Sequence, residues 1–530
     1  MRAQMKNKLS YVTQAWRGVL VAAMSCALGY VPVNLRAQAR DIPSAAAGIP
    51  RRSSAEVMER PITLLDTVGR LHQKVTTNSS QAQAYYDQGL ALLHSYVWVD
   101  AARSFHEALR RDPDMAMAEL GLAKTYGNVD AWTQAFEHLK NATNLAAGGK
   151  TSAKEARWIT LCQVQFNAIF AAPGERSQKH QIYKDQIAEL IAMDPDDPNA
   201  WVLRGNAEES RPQGRGQGGG VGSIAFYEAA LMHDPSFWPA DHYLIHSYEN
   251  LGNYTLAADH GKIYAEAVPG VPHAQHMYAH ILPRLGKWRE AADQLAKADR
   301  LQRDYFASGI PPLEEWHHGH NLHLLGVANL RLGNEAEGQK YLKEAFDLPV
   351  QGLRDGRFTD PWLEYLLMRG RFQEALAAAQ EAEKRPLAVA RLIGAARAAE
   401  ALMALNRVED ARKAQQRAKT ELEKLKNDSD NPIYDYLPGY YQIIQLNVLE
   451  AELGLASSDP AASEQKLIAL ADRLVTETSF DGWATGLFRL EQVAALADRL
   501  ARKELVAALV ERMHKIDPGF LSRFQIPRAE

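Results

Sequence analysis

Residues 82–113 read AQAYYDQGLALLHSYVWVDAARSFHEALRRDP. Apolar side chains recur at three- and four-residue spacings through both halves, the period of a helix with one buried face. Gly89, Ala101, Phe105, Ala108 and Pro113 fall at the eighth, 20th, 24th, 27th and 32nd positions of the stretch. Gly and Ala let two antiparallel helices approach closely, Phe fills the layer between them, and Pro stops the second helix. The stretch predicts a helical hairpin.

The same marks return along the chain at intervals of about 34 residues. Gly121, Ala135, Leu139 and Ala142 carry one copy. Trp201, Gly205, Tyr227, Ala230 and Pro235 carry another, interrupted by a glycine-rich insertion at 214–222 that reads as a flexible loop. Ala257 and Pro269, then Gly286, Ala291 and Ala298, then Gly326, Gly333 and Ala345 continue the series. Gly370 with Ala375 and Ala382, Ala411 with Ala418, and Asp517-Pro518 extend it to the C-terminus, weakened from Asn427 by the run NDSDNP. The pattern resembles the tetratricopeptide repeat. That resemblance implies an all-α chain, a right-handed α-solenoid of helical pairs at 81–427 with degenerate helical repeats at 428–530. First helices line the concave side of such a solenoid, where a protein or peptide partner is expected to bind.

Composition agrees with this frame. At 530 residues the chain exceeds what one compact core can organise. An apolar content of 46%, a charged content of 23% and a mean hydropathy of -0.34 exclude a polytopic membrane protein and a mostly disordered chain. A formal charge of -4 offers none of the basic surface a nucleic-acid partner needs. The start reads as an export signal: Arg2, Lys6, Lys8 and Arg17 precede an apolar run from Gly18 to Tyr30, and Ala37-Gln38-Ala39 offers a cleavage site. Residues 1–39 are thus expected to be removed, 40–80 to form a flexible linker, and the mature chain to be periplasmic or secreted, without a membrane span. Cys162 is then the one remaining cysteine, in an apolar helical run that reads as core.

Histidine is distributed unevenly. Ten of 17 lie between His242 and His323, where even spreading would place about three. His242 and His246 occupy the fifth and ninth positions of one repeat, His276 and His280 the same positions of the next, and His323 the fifth of the third. His273 and His320 share the second position. Residues four apart share a helix face, so three consecutive helices aim imidazoles at one surface. Imidazole ligates Zn and other divalent transition metals, which makes His242, His246, His276, His280 and His323 candidate metal ligands. His273, His320 and Trp316, which adjoins His317 and His318, are candidates for lining the ligand groove. A structural hydrogen-bonded network and direct contact with a ligand are the competing readings. No HExxH signature supplies a hydrolase base, and no reaction is assigned.

The wording of several motifs adds a second resemblance. LHQKVTT at 71–77, AYYDQGL at 84–90, HYLIH at 242–246 and HMYAHI at 276–281 resemble a group of exported bacterial tetratricopeptide proteins of unassigned activity. The last motif usually reads HMPSHI there, so Tyr278 and Ala279 depart from it while both histidines match. The resemblance implies that the paired histidines are a family feature. Two functions follow as expectations: a scaffold that binds a partner of the cell envelope, and a metal-binding protein or metal-dependent hydrolase.

Overall fold

A computed structural model describes residues 55–210, 212, 214–312, 315, 317–348, 360–428, 460–476 and 482–517. The signal expected at 1–39 lies outside the described residues. Those described belong to one unit, Ile42–Glu530. They form helices, turns and connecting segments, with no strand among them.

The expected hairpin forms from α2 (Ser80–His94) and α3 (Trp98–Arg111), after a short α1 (Ala55–Met58). Ser79 caps α2, accepting the N–H of Ala82 at 3.1 Å, so an orphaned donor of the first turn is satisfied. Further pairs follow: α4 (Ala116–Asn128) with α5 (Trp132–Ala147), α6 (Ala153–Ile169) with α7 (Pro173–Met193), and α8 (Pro198–Asn206) with α9 (Val221–His233). Next come α10 (Trp238–Asn250) with α11 (Tyr254–Ala267), α12 (Pro272–Ile281) with α13 (Trp288–Ala307), and α14 (His318–Arg331) with α15 (Glu335–Asp347). The series continues as α16 (Asp360–Met368) with α17 (Phe372–Glu383) and α18 (Ala388–Ala404) with α19 (Val408–Asp428). It closes, among the described residues, with α20 (Pro460–Thr476) and the pair α21 (Leu487–Arg499) and α22 (Lys503–Ile516). The chain is an all-α array of tetratricopeptide-type pairs.

The small residues do what the repeat pattern requires of them. A Cβ on Gly89 would stand 2.7 Å from the Phe105 ring, and one on Gly121 2.6 Å from the same ring. Phe105 therefore locks α2, α3 and α4 together. Gly205 meets Tyr227 in the same way across the pair α8 and α9, at 2.3 Å. Turns inside the pairs pass through the left-handed region, at Gly252, Gly286, Gly333 and Gly370, where glycine carries no steric penalty. Tyr96 takes that conformation in the turn between α2 and α3, with φ +58°. A bulky side chain held there is strained, and it is held by its ring contacts described below.

Two expected loose segments are fixed. Residues 59–79, expected within a flexible linker, form an extended strap tied by its backbone to helices far along the chain. The strap amides of Leu65 and Val75 donate to Gln88 Oε1 at 2.7 Å and Gln83 Oε1 at 3.1 Å, and that of Thr76 to Glu155 Oε1 at 2.6 Å. Trp238 Nε1 donates to the carbonyl of Arg70 at 3.3 Å, and Gly270 N to that of Thr67 at 2.9 Å. Composition suggested a linker because few apolar residues mark the strap; side-chain donors and acceptors of other helices satisfy its backbone instead. The insertion after α8 is held likewise, since Asn250 Nδ2 donates to the carbonyls of Gln217 and Gly219 at 3.0 and 2.8 Å.

Candidate metal centre

The histidines lie on α10, α12 and α14, the first helices of three successive pairs, with His317 at the N-cap of α14. Their inner faces are buried: His242, His246, His273, His276, His280, His317, His320 and His323 are all at most 6% exposed. The strap covers one side. At the other, Trp483 donates Nε1–H to the carbonyl of His280 at 3.0 Å and sets its ring against Trp288. The surface expected as an open groove is therefore a closed layer here, and His273 and His320 sit inside it. Trp316 lies outside the described residues.

Two trios of imidazoles emerge. In the first, His242, His246 and His273 bring ring nitrogens within 4.8 Å of one another. His242 Nε2 is 3.0 Å from His273 Nε2 and 3.3 Å from His246 Nε2. The second contains His276, His317 and His320 under the same limit, with ring centroids of His276 and His317 4.0 Å apart. His273 Nδ1 faces His317 Nε2 at 3.3 Å and so joins the two trios.

The supporting contacts orient the rings. His242 Nδ1 donates to the carbonyl of His94 at 2.7 Å, and His276 Nδ1 to Asn321 Oδ1 at 3.1 Å. A neutral imidazole carries one proton, so each of these rings presents an unprotonated Nε2 to its trio. His280 Nδ1 lies 2.7 Å from Glu249 Oε1, and its ring stands beside His276 and His320 with centroids 5.4 and 5.6 Å away. The strained Tyr96 lays its ring on His242 and His273, centroids 4.7 and 4.9 Å apart, and donates its hydroxyl to the carbonyl of Arg215. Burial pushes His242, His273 and His317 well below the ordinary imidazole range, and neighbouring imidazoles push the same way. His246 is brought down to about 3, by burial first and by His280 second. These four rings are neutral at physiological pH, the protonation state a metal requires.

A cavity of about 390 Å³ touches both trios through His273 and His317. Its lining includes Tyr96, Asp100, Asp304 and Glu315 and, among the described residues, neither Lys nor Arg.

The expected ligand set is rearranged by this geometry. Of the expected ligands, His242, His246 and His276 fall in the trios, and His273 and His320, expected to line a groove, complete them. His280 stands next to the second trio, and His323 is buried on α14 in neither. The reason is a diagonal register: the fifth position of one first helix meets the second position of the next, not its fifth. His317 was not among the expected ligands because it precedes α14 and so has no repeat position. The dense run His317-His318-Gly319-His320 was the available signal. His318 points elsewhere, with Nδ1 3.0 Å from Gln302 Oε1, and His260 pairs with Asp241 at 2.7 Å.

The chain matches no family model and no curated protein. Among solved structures it is similar to yeast Tom70, at 11% identity over 83% of this chain and 91% of that one, with a TM-score of 0.37. It is also similar to the type IV pilus biogenesis factor PilW, at 15% identity over 53% of this chain and 99% of that one, with a TM-score of 0.23. The tetratricopeptide domain of P58(IPK) matches at 14% identity over 80% of this chain and 99% of that one, with a TM-score of 0.22. No described helix is long and apolar enough to cross a membrane.

Proposed function

We propose that this protein is an exported helical-repeat protein that binds transition-metal ions in its buried histidine layer. One observation carries the reading: the unprotonated Nε2 of His242 meets Nε2 of His273 and of His246 at 3.0 and 3.3 Å. Ligands about 2.0–2.1 Å from a tetrahedral ion stand about 3.4 Å from each other, which two of the first trio's separations approach, the third lying within 4.8 Å. A donor set of neutral imidazoles, without carboxylate, favours Zn, Cu or Ni over Mg or Ca. Metal analysis of the purified chain tests this. Stoichiometric metal that falls by one ion in each of His246→Ala and His320→Ala and disappears when the two are combined, with helicity retained, is the expected result; full metal content in all three variants overturns it in favour of a hydrogen-bonded network.

Export rests on the basic start, apolar run and Ala-x-Ala of residues 1–39. A mature N-terminus at Arg40, read by mass spectrometry, is expected, and an intact Met1 in protein recovered from the cell envelope counts against it. A second reading, a scaffold for a protein or peptide partner in the envelope, draws on the helical-pair architecture. Because the histidine face is covered, such a partner would dock elsewhere on the array, and its binding would survive removal of metal by a chelator.

A further inference from the structure

We propose that the two trios form a single dinuclear centre in which the His273 ring bridges both ions; the proposal rests on the metal-binding reading above. His273 stands between the trios with both ring nitrogens directed at other imidazoles. Its Nε2 is 3.0 Å from His242 Nε2, and its Nδ1 is 3.3 Å from His317 Nε2. Both separations suit two ligands of one tetrahedral ion, which are about 3.4 Å apart. His273 therefore has ligand spacing toward two ions at once. His242 and His276 differ, since each commits Nδ1 to a carbonyl oxygen and offers one nitrogen.

Bridging fixes the proton balance. A neutral His273 holds one N–H; when the second ion binds, that bond breaks, the electron pair goes to the ion and the proton leaves to solvent. The ring becomes an imidazolate. Two divalent ions in a layer of neutral rings would otherwise leave four positive charges buried, and the imidazolate removes one of them. The cavity against His273 and His317 gives cations a way in. Asp304 is exposed, Glu315 half-buried and His317 fully buried along its lining, so carboxylates precede imidazoles on the path inward.

Copper(II) titration of the metal-stripped full-length chain, followed by electron paramagnetic resonance, tests the bridge. The expected course is a signal of isolated Cu(II) after the first equivalent, which collapses into a coupled-pair spectrum as the second binds. His273→Ala should abolish the coupling, whereas His246→Ala should keep an uncoupled ion in the second trio. Two equivalents with a full uncoupled signal in the unaltered protein overturn the bridge and leave the metal reading standing. Failure to take up any ion overturns both. Because the unaltered protein alone separates these outcomes, the test survives a His273→Ala chain that does not fold.

Discussion

His106 shows how burial reaches the titration of single residues outside the metal layer. Burial, then the neighbouring His138, brings it down to about 4, against about 6.5 in an unfolded chain. Between those values the unfolded state holds the extra proton. The stability that neutral His106 contributes is thus complete above about pH 6.5 and lost as pH falls toward 4. Replacing it with Gln should therefore cost about 2 kcal/mol less at pH 4.5 than at pH 7.5 in urea unfolding; an equal cost at both contradicts the assignment. Cys162 is as buried as its apolar surroundings suggested, and burial pushes its thiol up to about 12. Native protein should leave a thiol reagent unreacted until denaturant is added, and rapid native labelling would refute this. Residue types at the centre were legible because imidazoles repeat in register. Which ring meets which was not, because sequence register does not state how far one first helix slides along the next.

Within elements, the close helix approach was readable from Gly89 and Gly205 before any coordinates. Gly205→Val should destabilise by about 1–3 kcal/mol, since its Cβ would lie 2.3 Å from the fully buried Tyr227 ring; an unchanged melting temperature would contradict the packing. The next first helix after the histidines was not readable. Asp360 and Glu364 stand at its fifth and ninth positions. They bind the fully buried Arg397 of α18 at 2.8 and 2.6 Å, and Arg397 also meets Glu400 at 3.0 Å. Arg489 of α21 reaches the same Glu400 at 2.9 Å. Apart from Arg397 and Glu400, three residues apart, these partners are separated by 33 to 89 residues and leave no local pattern. Arg397→Met should cost about 3–5 kcal/mol by stranding carboxylates in a dry interior. Its repair by adding Glu364→Gln, seen as a partly restored urea midpoint, would mark the charge as the cause.

Across the whole molecule, the repeat period made the array legible, and the strap defeated the reading because its anchors are remote. A Cβ on Gly270 would fall 2.1 Å from Thr67 Oγ1. Gly270→Val should therefore lift the strap, and proteolysis within 60–79 should become rapid while helicity stays near that of the parent; equal resistance would contradict the docking. An array of pairs touching only their neighbours can unfold piecemeal. Here one N-terminal segment joins α2, α6, α10 and the turn before α12, so a single sharp transition is expected. The same segment meets a constraint of timing. It leaves the ribosome first, yet its Arg60 awaits the carbonyl of Gly309, 249 residues later. At about 5–20 residues per second, that delay is about 12–50 seconds. Arg60 cannot make that contact before the interval ends, so a segment made early is among the last to be fully fixed.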